Sequence, residues 1–250
     1  MKVVISENSQ QLGKLAAEQA AKVINDAINK KGNARIILST GASQFDTLSA
    51  LIKAIPDWSR VEMFHLDEYI GIPVTHPASF RKYLFERFVS QINLKRAVFV
   101  NGEGDIRKNI EYLIRELTEK PIDLGIIGIG ENGHIAFNDP PANLETEEPY
   151  IVVDLNETCK KQQVREGWFP TAEDVPKQAI SMSVKQILKC NTIISSVPHS
   201  VKAEAVKKTL DQEPNKMVPA TMFKTHHDLT LFIDNNSASL LDKSQIKKFM

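Results

Sequence analysis

Short apolar runs alternate with amphipathic helical segments along most of this chain, and this alternation constrains the fold more than any other feature. Apolar residues at 12–28 recur every three or four positions, as they do on one face of a long helix. Runs with the length of buried strands lie at 3–5, 35–38, 61–66, 122–127, 150–154, 191–197 and 229–233. Strands connected through helices form a parallel sheet covered on both faces. The pattern predicts an α/β fold with a doubly wound, mostly parallel sheet.

The chain length favours a single domain. Its 250 residues are enough to bury a substantial core, and no long linker, repeat or low-complexity segment divides them. We therefore expect one domain over residues 1–250. The least regular region is 143–178, which contains a Gly-Trp-Phe-Pro segment. Irregular insertions of this kind occur both as mobile lids and as packed surface loops, so both interpretations stay open.

Charge and cysteine content narrow the classes of partner. Lys and Arg together number 31, as do Asp and Glu, and this balance argues against a general nucleic-acid binder. Cys159 and Cys190 match no metal-binding spacing and no disulfide framework, which is typical of a reducing compartment. No apolar run is long enough for a membrane span, and the first residues do not resemble a signal peptide. We expect a cytoplasmic protein without a membrane partner.

A glycine-rich loop follows the apolar run at 122–127. Glycines at 128, 130 and 133 leave its backbone free to turn sharply and to pass close to a ligand. The titratable and amide side chains that it carries are Asn132, His134, Asn138 and Asp139. In α/β proteins, ligands bind at the carboxyl ends of the strands, where this loop begins. The loop therefore indicates an enzyme that transfers protons on a small molecule.

A second loop, at 39–43, follows the apolar run at 35–38. Its residues are Ser39, Thr40, Gly41, Ala42 and Ser43. Small hydroxyl residues and a glycine at the start of a helix favour an anion such as phosphate, because free backbone N–H groups and the helix dipole meet there. The segment lacks the ending of a nucleotide-binding P-loop. A serine that merely caps the helix explains the same residues, and the sequence leaves both possibilities open.

Two adjacent carboxylates, Asp67 and Glu68, follow the apolar run at 61–66. Neighbouring residues on an extended chain point to opposite faces, so we expect at most one of them to line a site. A partly desolvated carboxylate at a strand end suits a carbon-acid base, although for an isolated Asp-Glu pair a solvated strand end or a helix cap is the more common explanation. We expect His65, inside the apolar run, to be a core histidine with satisfied hydrogen bonds.

Two cations complete the set of candidates. Lys202 lies near the start of a helix, where a cation opposes the helix dipole unless an anion is close by. This position makes Lys202 a candidate phosphate ligand, and Arg165 is a candidate for a bidentate clamp. Most Lys and Arg residues only solvate the surface, so neither cation is decisive alone.

Together, these motifs resemble the glucosamine-6-phosphate deaminase family, also called glucosamine-6-phosphate isomerase, over most of the chain. The segments Leu-Asp-Glu-Tyr-Ile-Gly at 66–71 and Asn-Gly-His-Ile-Ala-Phe-Asn at 132–138 are highly specific to that family. The related 6-phosphogluconolactonases share the fold and the Gly-His core. They typically continue with Thr-Ala-Ser-Leu-Phe after that core, and usually have Arg where this chain has Tyr69. Both differences favour the deaminase.

The resemblance implies a Rossmann-like fold and a conversion of glucosamine 6-phosphate to fructose 6-phosphate and ammonium that needs no metal and no cofactor. It implies that His134 opens the sugar ring, that Asn132 and Asp139 orient its imidazole, and that Asp67 moves a proton from carbon 2 to carbon 1. The residues that it assigns to the phosphate are Ser39, Thr40, Gly41, Ala42, Ser43, Arg165 and Lys202. The family includes monomers and hexamers, so a homo-oligomer stays possible.

This chain departs from many family members near the histidine. It has Asn132 where many have Asp, and Asp139 where Glu is common. We expect Asp139 to pair with His134 despite its shorter side chain. The acidic segment at 144–149 is unsuited to a phosphate effector, so we expect no activation by an acetylated amino-sugar phosphate. The alternatives left open are a galactosamine-6-phosphate deaminase, a 6-phosphogluconolactonase and a non-catalytic sugar-phosphate sensor.

Overall fold

A parallel seven-stranded sheet is the centre of the protein. The computed structural model describes residues 1–55 and 57–242. The strands are β1 (Lys2–Ser6), β2 (Ala34–Leu38), β3 (Val61–His65), β4 (Asp67–Tyr69), β5 (Arg96–Val98), β6 (Leu124–Ile126), β7 (Tyr150–Asp154), β8 (Gln178–Met182), β9 (Thr192–Val197) and β10 (Leu229–Asp234). The large sheet has the order β1-β10-β9-β6-β2-β3-β5, and every neighbouring pair in it is parallel. The predicted doubly wound fold is confirmed.

Helices cover both faces of this sheet. The α-helices of the described ranges are α1 (Ser9–Lys31), α2 (Phe45–Ala54), α3 (Phe80–Arg87), α4 (Ile106–Thr118), α5 (Glu157–Arg165), α6 (Val184–Ile187) and α7 (Ala203–Asp211), and of these α5 packs against the small sheet described below. Alternate residues of β2 enter separate cores, Ile36 with the residues of α1, α2 and α3, and Ile37 with those of α4, α6 and α7. Burial on both faces explains why the central strands are apolar throughout rather than alternating.

The strand predicted at 150–154 belongs to a second sheet, so its assignment to the large sheet was wrong. This small sheet is antiparallel and has the order β4-β8-β7. Residues 151–154 of β7 alternate between half-buried and exposed positions, as expected for a strand with one solvated face, while Tyr150 at its start is buried. Strands β4, β5 and β8 were not predicted. The first two have only three residues each, and β4 contains two carboxylates, so neither shows an apolar pattern.

The carboxyl ends of the parallel strands bring the sequence motifs together. The loop at 39–43 follows β2, Asp67 comes just after β3, and the glycine-rich loop follows β6. Lys202 lies in the turn after β9. Because these strands are parallel neighbours, all four segments leave the same edge of the sheet. Within the described ranges, none of the helices has both the length and the apolarity that crossing a membrane requires.

Candidate active site

A cavity of about 380 Å³ opens at this edge of the sheet. The predicted site residues that line it are Ser39, Thr40, Gly41, Ala42, Ser43, Asp67, His134, Arg165 and Lys202. Asn132 and Asp139 are not part of its wall and lie behind His134, in contact with the imidazole. The structure therefore places nine predicted residues around one cavity and two behind it.

The glycine-rich loop holds His134 against its own backbone. Gly130 donates a hydrogen bond to the carbonyl of His134 at 2.9 Å, and Gly133 donates to the carbonyl of Gly130 at 3.0 Å. A Cβ atom on Gly130 would overlap the imidazole, so any side chain at that position would displace the ring. Gly133 has φ +85°, which favours glycine. The glycines fix where the histidine lies.

Asn132 and Asp139 determine which ring nitrogen of neutral His134 carries the proton. The Oδ1 atoms of Asn132 and Asp139 lie 2.7 and 3.2 Å from Nδ1 of His134, and the Asn132 amide donates to Asp139 at 2.8 Å. Since both neighbours of Nδ1 are acceptors, Nδ1 carries the proton and Nε2 is free to accept one. The expected contact between Asp139 and His134 is present.

Asp139 supplies the negative charge that Asn132 lacks. Burial acts to raise the pKa of Asp139, but its hydrogen bonds with His134 and Asn132 outweigh burial, and the pKa lies below its usual value. The carboxyl is therefore ionised at neutral pH. A carboxylate beside Nδ1 stabilises a positive charge on the imidazole when Nε2 takes up a proton.

Asp67 faces the cavity as a desolvated carboxylate. It is buried, and burial followed by the charge of Glu68 raises its pKa well above the usual value. Glu68 points the other way and accepts hydrogen bonds from the Ser79 hydroxyl at 2.7 Å and from the backbone of Arg81 at 2.9 Å. Only Asp67 of the pair lines the cavity, as predicted. Its environment favours the protonated form, which makes its carboxylate a strong base.

His65 contradicts the prediction of a satisfied core histidine. Its ring is fully buried, but neither ring nitrogen has a hydrogen-bond partner among the described residues. Burial, with a contribution from the charge of Arg81, lowers its pKa to about 3. The ring is therefore neutral across the physiological range. Its edge-on contact with Phe99, 6.0 Å between ring centroids, indicates a packing role.

Hydrogen bonds within the protein orient two serine hydroxyls of the loop at 39–43. Ser39 Oγ accepts from the backbone of Gly128 at 3.1 Å, and Ser43 Oγ accepts from the Gln44 amide at 3.1 Å. Neither serine caps α2 or the 3₁₀ turn before it. The capping alternative is therefore wrong. Because protein donors already occupy one acceptor site on each oxygen, the hydroxyl protons are available to an anion.

The two predicted cations differ in their surroundings. Lys202 is 8% exposed, and burial lowers its pKa, while Glu166 and Glu131 act in the opposite direction. Arg165 is more exposed and forms an ion pair with Glu131 in the cavity wall. Arg165 is therefore engaged by a carboxylate of the protein, whereas Lys202 has no ion-pair partner in the described part of the chain.

Several residues of the cavity wall were not predicted from the sequence. Gln162, Gln163, Glu166 and Trp168 come from α5 and the turn after it. His199 lies beside Lys202, and its backbone has φ +80° and ψ 147°, a region that residues other than glycine rarely occupy. Two hydrogen bonds from its N–H to the Asp234 carboxylate, at 3.1 and 3.2 Å, hold this turn. Among these wall residues, Gln162, Gln163 and Trp168 carry no sequence pattern that separates binding from packing.

Comparison with known proteins identifies the family of the chain. A profile of the family described as glucosamine-6-phosphate isomerases/6-phosphogluconolactonase matches residues 7–232. The chain belongs to this family. A member from Thermoanaerobacter sp. (strain X514), named glucosamine-6-phosphate deaminase, is 36% identical, and the match covers 99% of this chain and 98% of the relative.

Solved structures of the family share the fold. One, described as a monomeric glucosamine-6-phosphate deaminase, has a TM-score of 0.88 and 30% identity, covering 96% of this chain and 100% of that one. A 6-phosphogluconolactonase from Thermotoga maritima has a TM-score of 0.77 and 16% identity, covering 93% and 99%. The second likeness shows the fold alone. The family resemblance found in the sequence is confirmed.

Proposed function

We propose that this family member converts glucosamine 6-phosphate to fructose 6-phosphate and ammonium. The observation that carries the proposal is the pairing, in one cavity, of a desolvated carboxylate, Asp67, with the His134–Asp139 pair. Isomerisation of an amino sugar needs both a carbon-acid base and a group that moves protons between oxygens. Relatives named glucosamine-6-phosphate deaminase, similar over nearly their whole length, support the same reaction.

Ring opening falls to His134. Its Nε2 atom is free to accept the proton of the anomeric hydroxyl, because Nδ1 already carries one. The imidazolium then returns a proton to the ring oxygen as the bond between that oxygen and carbon 1 breaks. The ionised Asp139 stabilises the positive ring during this transfer. The product is the open-chain aldehyde.

Isomerisation falls to Asp67. Its carboxylate takes the proton from carbon 2 while the carbonyl oxygen on carbon 1 takes a proton from the neighbouring ammonium of the substrate, which leaves an enolamine between carbons 1 and 2. The protonated Asp67 then gives its proton to carbon 1. The resulting ketimine at carbon 2 adds water and releases ammonium, giving the ketose. The same carboxyl group is base and then acid, and the pKa of Asp67, raised by burial and by the charge of Glu68, strengthens it as a base towards carbon 2.

The loop at 39–43 and Lys202 bind the phosphate group of the substrate. Ser39 and Ser43 present hydroxyl protons, and Lys202 supplies a buried charge. Arg165 joins them once its guanidinium leaves Glu131. In this proposal the ligands of the phosphate are Ser39, Thr40, Gly41, Ala42, Ser43, Arg165 and Lys202.

Asp67 also argues against a 6-phosphogluconolactonase and against a non-catalytic sugar-phosphate sensor. Hydrolysis of a lactone or mere binding of a sugar phosphate has no use for a carbon-acid base, yet the fold keeps Asp67 buried beside Glu68 at the expense of stability. We propose further that the enzyme is a cytoplasmic single domain with a lid within 143–178. The two buried, free cysteines support a reducing compartment.

One set of assays tests the function. The pure protein is incubated with glucosamine 6-phosphate, galactosamine 6-phosphate and 6-phosphogluconolactone, and ammonium and acid release are measured. We expect ammonium from glucosamine 6-phosphate at a higher kcat/KM than from its epimer, with no acid release above background. Acid release from the lactone without ammonium from either amino sugar would replace the proposal with lactone hydrolysis.

A further inference from the structure

The cavity contains a buried amide group with no role in the steps above. Gln163 lies on α5, is 5% exposed and lines the cavity wall. Its Oε1 atom accepts a hydrogen bond from the hydroxyl of Tyr69 at 2.7 Å. Among the described residues no acceptor lies within hydrogen-bond range of its Nε2 atom. Nε2 is not one of the fully enclosed atoms that lack a partner among the described residues, so it is open to the cavity and its N–H groups are available to a ligand there.

The orientation of this amide follows from Tyr69. The hydroxyl of Tyr69 is buried, and Gln163 is its only hydrogen-bond partner in the described ranges. If the amide were turned over, two donors would face each other or the phenol proton would have no acceptor. Oε1 therefore faces Tyr69, and the two N–H groups of Nε2 face away from it.

Packing holds this pair rigidly. The ring of Tyr69 contacts those of Phe80, Phe137 and Phe169, with centroids 5.0, 5.1 and 5.3 Å away. The end of α5 is fixed as well, because the N–H of Trp168 donates to the carbonyl of Gln163 at 3.0 Å. The amide donor is thus held in place before any ligand arrives.

The same strand carries Tyr69 and the proposed base. Asp67 and Tyr69 are two residues apart in β4 and so project from the same face of the strand, whereas Glu68 projects from the other. Gln163, held by Tyr69, therefore belongs to the part of the cavity that Asp67 lines. A neutral donor there suits a hydroxyl oxygen of the sugar, and the charged groups Lys202 and Arg165 suit its phosphate.

We propose that Gln163 binds a hydroxyl oxygen of the sugar substrate through Nε2, and that Tyr69 positions it for this contact. The inference rests on the proposed function for the identity of the substrate as a sugar phosphate. Gln163 contributes to the choice between epimers. Its fixed donor forms a hydrogen bond with a hydroxyl in one configuration and stays unpaired when the hydroxyl has the other configuration.

The test distinguishes contacts with the sugar hydroxyls from contacts with the phosphate group. Isothermal titration measures Kd for sorbitol 6-phosphate, which cannot react, and for inorganic phosphate. In Gln163→Met we expect sorbitol 6-phosphate to bind roughly 5- to 100-fold more weakly, since its hydroxyl loses a fixed donor. Inorganic phosphate should change less than twofold. An unchanged Kd for sorbitol 6-phosphate, or an equal loss for both ligands, would overturn the assignment.

Two further variants guard against a purely structural effect. Tyr69→Phe/Gln163→Met removes both polar partners together, so it should fold well while binding sorbitol 6-phosphate as poorly as Gln163→Met. Tyr69→Phe alone keeps the donor but releases it, and we expect a smaller loss. Wild-type affinity in the double variant would contradict the proposal. Gln10→Met, at an exposed position of α1, is the matched control.

Failure of the proposed function would look different. If the wild-type protein released no ammonium from either amino-sugar phosphate, the reaction would be wrong, but the loss of sorbitol 6-phosphate binding in Gln163→Met would still support the hydroxyl contact. If ammonium is released, the ratio of kcat/KM between glucosamine and galactosamine 6-phosphate should fall towards one in Gln163→Met. A ratio equal to that of the wild type would remove Gln163 from epimer choice.

Discussion

The two walls of the cavity are built on different principles. One wall consists of the segments that follow the parallel strands, where hydrogen bonds and glycines hold Ser39 and His134, and where Asp67 begins the short strand β4. The other is α5 with the turn after it, held to the small sheet by aromatic packing and by the contact between Gln163 and Tyr69. In this cavity the reactive groups Asp67 and His134 follow the strands of the large sheet, whereas Gln163, which we propose contacts the sugar, lies on a helix packed against the small sheet.

The first prediction tests the wall at the strand ends through its base. Asp67→Asn keeps the shape of the side chain but cannot take a proton from carbon 2. We expect kcat to fall roughly 10²- to 10⁴-fold, while Kd for sorbitol 6-phosphate changes little. Steady-state release of ammonium measures the loss. Asp26→Asn, at an exposed site on α1, is the control, and turnover near the wild-type rate would exclude Asp67 as the base.

The same substitution should change how stability depends on pH. Burial and Glu68 raise the pKa of Asp67 in the folded protein above the unfolded value near 3.8. Between those values the folded state binds more protons, so wild-type stability falls as pH rises through that window and stays reduced above it. The amide introduced by Asp67→Asn does not titrate. We therefore expect urea midpoints of Asp67→Asn to exceed those of the wild type by a margin that grows with pH.

Equal midpoints at every pH would show that the carboxyl of Asp67 is solvated in the folded protein. They would also remove the argument that the fold sacrifices stability for this base. The measurement needs no substrate, so it stands apart from the identity of the reaction.

The first wall was largely predictable from the sequence, and the second was not. The apolar runs predicted where β2, β3 and β6 end to within one residue. Polar residues directly after the end of such a strand often bind ligands, so they could be identified as candidates. The sequence also predicts a helix near 159–165, where the structure has α5, but the pattern of its Gln residues is that of any solvated helix face. The small sheet was missed because pairing between β4 and β8 joins segments more than a hundred residues apart, and short strands show no period.

A second prediction concerns the charge behind His134. Asp139→Asn keeps a hydrogen-bonding group near Nδ1 but removes the carboxylate. We expect kcat to fall roughly 10- to 100-fold, the value of a charge-assisted hydrogen bond, with little change in the Kd for inorganic phosphate. Rates of ammonium release from the pure variant measure this. A rate within twofold of the wild type would mean that Asn132 alone orients the imidazole.

The last prediction addresses the contact that joins the walls, the ion pair between Arg165 on α5 and Glu131 in the glycine-rich loop. If phosphate must displace Glu131 from the guanidinium, Glu131→Gln frees Arg165. We expect Kd for inorganic phosphate to decrease about 2- to 5-fold at low salt, as suits a partly exposed pair, and the gain to shrink as salt screens the charges.

Arg165→Gln in the Glu131→Gln background is the matched control, and it should cancel the gain. Weaker phosphate binding in Glu131→Gln would show the reverse arrangement, in which Glu131 holds Arg165 in position for the ligand. That result would make α5 part of a site assembled before substrate arrives. Tighter phosphate binding in Glu131→Gln would instead mean that the substrate breaks the ion pair between Arg165 and Glu131. Arg165 would then bind the phosphate of the substrate, and the two walls would lose their direct ionic contact.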